Sequence, residues 1–97
     1  ALNNTLGIRH WERGEWSEAV IQFDAGLRLC EQLEDRVHEG LMLNSLGASY
    51  LRLTQFELAE ALLQRSIRVT SAVNEPQLLG HARLTLARVF AAQGRSA

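Results

Sequence analysis

The sequence predicts an all-α chain built as a stack of helical hairpins, and three observations carry that reading. A leucine, a small residue and a ring three positions on recur as Leu6-Gly7…His10, Leu46-Gly47…Tyr50 and, weakened, Leu86-Ala87…Phe90 (47 − 7 and 87 − 47 both give 40). Apolar residues run at the spacing of one helix face through most of the chain. The six identities between residues 1–40 and 41–80 are Asn4/Asn44, Leu6/Leu46, Gly7/Gly47, Ala19/Ala59, Arg28/Arg68 and Gly40/Gly80. Most of them fall on small or apolar places of the expected helices.

The first helix is expected from Leu2 to about Arg13, with Leu2, Leu6, Gly7 and the His10 ring on one face. Gly14 ends it, because a glycine just past a helix readily takes the left-handed conformation. A longer helix begins at Trp16, its buried stripe being Ala19, Phe23, Gly26, Leu27 and Cys30. Glu34-Asp35 interrupts that pattern. Asp35 is placed to cap a third helix from Arg36 to about Leu53, since its carboxylate can accept the free amides of the first turn.

Met42, Leu46, Tyr50 and Leu53 repeat the stripe of the first helix, and Thr54-Gln55 stands where Gly14-Glu15 stood. The fourth helix, Phe56 to about Val73, presents Ala59, Leu63, Ser66, Ile67 and Thr70. The fifth runs from Pro76, a residue favoured at the first helical position, to about Gln93. Gly7 and Gly47 let paired helices approach closely, and one such hairpin buries both its apolar faces only when stacked on neighbours.

Ninety-seven residues bound the chain to one small domain, and a hydrophobic share of 46% excludes disorder by composition. A net charge of −1 gives no electrostatic reason to expect nucleic acid or an anionic membrane as partner. No stretch approaches the ~18 apolar residues of a membrane span. All ten basic residues are arginine, so an acidic partner would be met by guanidinium forks. Cys30, the single cysteine, excludes an internal disulfide and a thiol-rich metal site, and fits a reducing, cytoplasmic compartment. The chain opens on Ala1 and closes on Gly94-Arg95-Ser96-Ala97, which reads as a piece of something longer.

These residues resemble the tetratricopeptide repeat. Leu6-Gly7-x-x-His10 with Ala19-x-x-x-Phe23, and Leu46-Gly47-x-x-Tyr50 with Ala59-x-x-x-Leu63, match its small-residue and aromatic pattern. The early tryptophan of the pattern is replaced by Asn3, Leu43 and Arg83, and the late proline by Glu31 and Ser71. The period of 40 exceeds the usual ~34, and looks like the lengthened repeats of bacterial signal-transduction regulators. The resemblance implies a right-handed superhelical stack of about two and a half repeats, divided 1–35, 36–75 and 76–97 as a partial repeat or cap. It implies a non-enzymatic protein-interaction module, with a concave groove for a peptide or helix of unnamed identity. The alternative is an architectural module that stacks on further repeats and spaces other domains.

In such a stack the groove is lined by Asn4, Ile8 and Trp11, then Asn44, Ala48 and Leu51, then Leu84 and Arg88. Asn4 and Asn44 offer a donor and an acceptor to a peptide backbone, or else brace a neighbouring helix. Trp11 is either a ligand anchor or packed against a preceding repeat. Arg88 grips a carboxylate or is simply solvated. His10, His38 and His81 lack the spacing of a helical metal site, so no metal and no cofactor are expected. His10 is read as a packed ring and Cys30 as a small core residue. Glu57, Glu60, Arg65 and Arg68 are read as solvated helix-face pairs. With no sixth helix to cover the fifth, Leu86, Val89 and Phe90 are expected to be partly bare and to drive homo-oligomerisation.

Overall fold

A computed structural model describes residues 2–95, with side chains over residues 6–95. It is all-helical, with α1 (Leu2–Glu12), α2 (Trp16–Gln32), α3 (Arg36–Arg52), α4 (Phe56–Ala72) and α5 (Pro76–Ala92). Each boundary expected from the sequence lies within two residues of the one observed. The expected contrast between a shorter first helix and a longer second one holds only in the first hairpin. In the second, α3 and α4 are both 17 residues long.

The links are copies of one another. Each carries one residue with positive φ, at Gly14 (73°), Glu34 (54°), Thr54 (60°) and Asn74 (56°), and Gly94 (72°) repeats the geometry after α5. In each, the amide one residue further on returns to a carbonyl five residues back, as from Asp35 to Cys30 (2.9 Å) and Gln55 to Tyr50 (2.9 Å). Asp35 caps α3 as expected, its Oδ1 accepting from the His38 amide at 3.2 Å.

Successive helices pack on one another and α3 also touches α5. With extents of 37 × 31 × 18 Å the molecule is two helices thick. Gly7, Gly40 and Gly47 mark close approaches. A Cβ on Gly7 would fall 2.5 Å from Phe23 Cε1, and one on Gly47 would fall 2.5 Å from Leu63 Cγ. Phe23 and Leu63 therefore lie flat against the facing backbone, and both are essentially buried.

The core divides in two. Ala19, Phe23, Leu27, Met42, Leu46 and Val69 form the larger part, and Ala59, Leu63 and Val89 the smaller. Two buried hydroxyls are satisfied within their own helices, Thr70 Oγ1 donating to the Ser66 carbonyl (2.8 Å) and Ser49 Oγ to that of Ser45 (2.9 Å), whereas Ser66 Oγ of α4 donates to the Gly40 carbonyl of α3 (2.9 Å).

Val89 corrects one expectation. It is fully buried against α4, and Leu86 packs on the same cluster, because the face of α5 bearing them is the one α4 covers. Phe90 is half-buried, with the Arg95 guanidinium 4.6 Å from its ring centre. The side of α5 that stands open carries Gly80, Leu84 and Ala87 instead.

Arg65 corrects another. It is no solvated helix-face charge: its guanidinium donates to Glu31 of α2 and to Glu39 of α3, the latter at 3.2 Å. The Glu39 carboxylate is buried between Arg36 and Arg65. Glu60 likewise reaches Arg95 of the C-terminal link at 2.8 Å.

Candidate binding groove

Four of the residues assigned to a groove converge. Ile8 and Trp11 from α1 and Asn44 and Ala48 from α3 line one hollow of about 180 Å³, with Phe23 and Ser45. Their meeting follows from the helix period: Ile8 and Trp11 lie three apart, Asn44 and Ala48 four apart, and each pair shares a face. The side chain of Asn4 lies outside the described residues.

One atom in this hollow is unusual. Asn44 Oδ1 is buried and has no hydrogen-bond partner among the described residues. A buried carbonyl oxygen left unpaired costs about 1–3 kcal/mol, which a donor would recover once a turn of the Asn44 side chain brought the oxygen to the hollow. The surrounding wall is apolar, with Ile8 42% exposed at its edge. The hollow therefore suits an apolar side chain accompanied by an N–H group.

Leu51 and Arg88 line a second, wider hollow of about 530 Å³ together with Arg52, Thr54, Phe56 and Ala92. The Arg52 guanidinium stands 5.7 Å from the Trp11 ring centre and 5.6 Å from that of Trp16. Those two rings meet edge to face at 4.6 Å. Trp11 is thus packed within its own chain while its ring still faces the first hollow. Leu84 is 52% exposed and lines neither.

Sequence reasoning missed Phe23, Ser45 and Arg52 as lining residues. Arg52 lies one residue beyond Leu51, and its signal was the helix period itself, since i, i+4 and i+8 from Asn44 reach Ala48 and Arg52.

Elsewhere several titratable groups have structural partners. His10 donates from Nδ1 to Glu15 Oε1 at 2.9 Å, joining the end of α1 to the start of α2. His38 makes the same kind of contact with Asp35 Oδ2 at 2.7 Å. Hydrogen bonding from the His38 amide, above all, holds the Asp35 carboxyl below its ordinary value. Burial pushes the Cys30 thiol up, with the nearby Asp35 and Glu39 charges adding to the effect. It is a protonated core thiol rather than a nucleophile. Among the described residues no group of three or more His, Cys, Asp or Glu could hold a metal ion. No helix among them is long and apolar enough to cross a membrane.

Residues 4–39, spanning α1, α2 and the start of α3, match the family model of the tetratricopeptide repeat. Repeats of that family generally mediate protein–protein interaction or scaffolding. No curated protein and no solved structure matches the chain.

Proposed function

We propose that this chain is a protein-interaction module of the tetratricopeptide-repeat kind that offers a preformed concave groove to an extended peptide or a helix. Its stack is a right-handed superhelix of two long-period repeats, 1–35 and 36–75, closed by the partial repeat 76–97. The setting is a larger cytoplasmic regulator or adaptor, of the sort found in bacterial signal transduction. It performs no chemistry of its own.

The observation that carries this reading is the buried Asn44 Oδ1, without a partner among the described residues, beside a hollow lined by Ile8, Trp11 and Ala48. Asn4 stands forty residues earlier at the same place in the repeat, so the two amides are assigned to successive backbone groups of one ligand. Leu51 and Arg88 extend the contact surface along the wider hollow, and Leu84, exposed four residues before Arg88 on α5, lies outside both hollows.

The test is a peptide-array screen against the parent chain and the Asn4→Ala/Asn44→Ala double variant. Binding by the parent that the double variant loses supports the groove. Equal binding by both would remove the asparagines from the mechanism.

A second reading, an architectural and self-associating module, draws on the open side of α5. A Cβ on Gly80 would meet nothing within 4 Å, and Leu84 is 52% exposed. The surface of association then centres on Leu84, with Leu86 and Phe90 at its margin rather than Val89. A mass that stays monomeric in sedimentation up to millimolar concentration would count against it.

A further inference from the structure

The arginines divide into two groups. Arg13, Arg28, Arg36, Arg65 and Arg95 each meet a carboxylate of the chain. Arg9, Arg52, Arg68, Arg83 and Arg88 meet none among the described residues. Two of this second group, Arg52 of α3 and Arg88 of α5, line the same hollow of about 530 Å³.

No acidic side chain lines that hollow, and its wall includes half-buried Leu51 and Phe56. The helices that bring the two arginines there are short of negative charge as well. α5 has no acidic residue, and α3 has one, Glu39, which is buried against Arg36 and Arg65 at the opposite end of the helix from Arg52. Two like charges in one hollow repel each other, and a carboxylate entering it would relieve that repulsion while accepting from both guanidinium forks. Arg52 is already held for such a contact, 5.7 and 5.6 Å from the ring centres of Trp11 and Trp16. A guanidinium fixed in this way has less freedom left to lose on binding.

The place of this hollow relative to the one beside Asn44 sets a spacing. The first opens between α1 and α3 around Ser45 and Ala48, and the second between α3 and α5 around Leu51 and Arg52. About six residues of helix rise along α3 and one interhelical distance across it put the two centres about 13 Å apart. An extended chain advances about 3.3 Å per residue and points alternate side chains to the same side, so residues four apart reach both hollows.

We propose that the groove takes an extended peptide in which an aspartate or glutamate stands four residues from the apolar anchor, in either chain direction. The anchor enters the hollow beside Asn44, and the acidic side chain meets Arg52 and Arg88. This rests on the groove reading above and adds to it the charge and the spacing of the ligand.

The test uses pools of N-acetylated, C-amidated dodecapeptides randomised over uncharged residues. Leucine is fixed at one position, and glutamate, glutamine or lysine at a second, two to six residues away on either side. With the parent chain, glutamate at an offset of four should retain at least about fivefold more protein than glutamine or lysine, the factor one well-formed guanidinium–carboxylate pair carries. Arg88→Glu should abolish that preference and turn it toward lysine, and Arg52→Gln should weaken it. Arg68→Glu makes the same change of net charge on an exposed part of α4 outside both hollows, and should leave the preference as it is.

Retention that depends on Asn44 but shows no preference for glutamate at an offset of four would overturn the inference and leave the groove standing. An equal loss of preference in Arg68→Glu would overturn it too, by assigning the effect to net charge. So would stronger retention of peptides with a free terminal carboxylate four residues from leucine than of the amidated glutamate pools, since the hollow would then read a chain end. Failure of the parent to retain any pool would remove the groove and this inference together.

Discussion

At the scale of single residues, the helical glycines have different work to do. Gly47 stands where a Cβ would meet the branch carbon of fully buried Leu63, while Gly80 faces open space. Alanine gains up to ~1 kcal/mol of helix propensity over glycine, but overpacking a core contact costs about 1–3 kcal/mol. Gly47→Ala should therefore destabilise by about 1–2 kcal/mol, whereas Gly80→Ala should stabilise by up to ~1 kcal/mol. Urea unfolding of the two variants checks the opposite signs.

Thr54 holds φ at 60° although it is β-branched, a conformation that costs L-residues roughly 1–2 kcal/mol and glycine little. Thr54→Gly should raise stability by about 1 kcal/mol, less the greater freedom of glycine in the unfolded chain. A lower urea midpoint for that variant would contradict this account of the link.

At the scale of elements, the helices were legible because each signal was local. Gly14, Asp35 and Pro76 punctuate the chain at related places, and the apolar stripes between them keep one period. What escaped was what joins one element to another. Glu31, Glu39 and Arg65 are far apart in sequence, and nothing in a helical stripe says that they meet. Val89 escaped for a related reason: the stripe shows that it is buried by something, but not that α4 already covers it.

The Arg65 bridge has a measurable role. Removing it leaves the buried Glu39 carboxylate with Arg36 alone, at 3.6 Å. Arg65→Met should cost about 1–2 kcal/mol, well short of a fully buried pair because water reaches the guanidinium. The loss should shrink in Arg65→Met/Glu39→Gln, which a double-mutant cycle detects.

Asp35 supplies a dependence on pH. Its folded value is lowered, so its contribution is fully present above the ordinary value of 3.8 and is lost as pH falls through the folded value. Asp35→Asn retains the capping oxygen and loses the charge. The variant should show a flatter fall in stability below about pH 4 than the parent, as acid titration of the circular dichroism signal would register.

At the scale of the whole molecule, the fold supplies a rigid layer and the groove lies on it. The repeated Leu-Gly-ring theme, which dominates the sequence, is a packing device, and the ligand-facing chemistry falls on its neighbours. Ile8 directly follows Gly7, and Asn44 and Ala48 flank Leu46-Gly47. Half of the groove was legible for that reason: residues on one helix face stay together whatever the stack does. The split into two hollows was not, because Arg52 lies over Trp11 and Trp16, a contact between the turn of one hairpin and the turn of the other.

The central claim is that ligands enter the hollow beside Asn44. The most direct measurement is the peptide-array profile of Ala48→Arg, since Ala48 lines that hollow without being fully buried. The account predicts that the arginine fills the hollow and abolishes the peptide binding of the parent, while the unfolding midpoint stays within about 3 °C. A profile identical to that of the parent would contradict it.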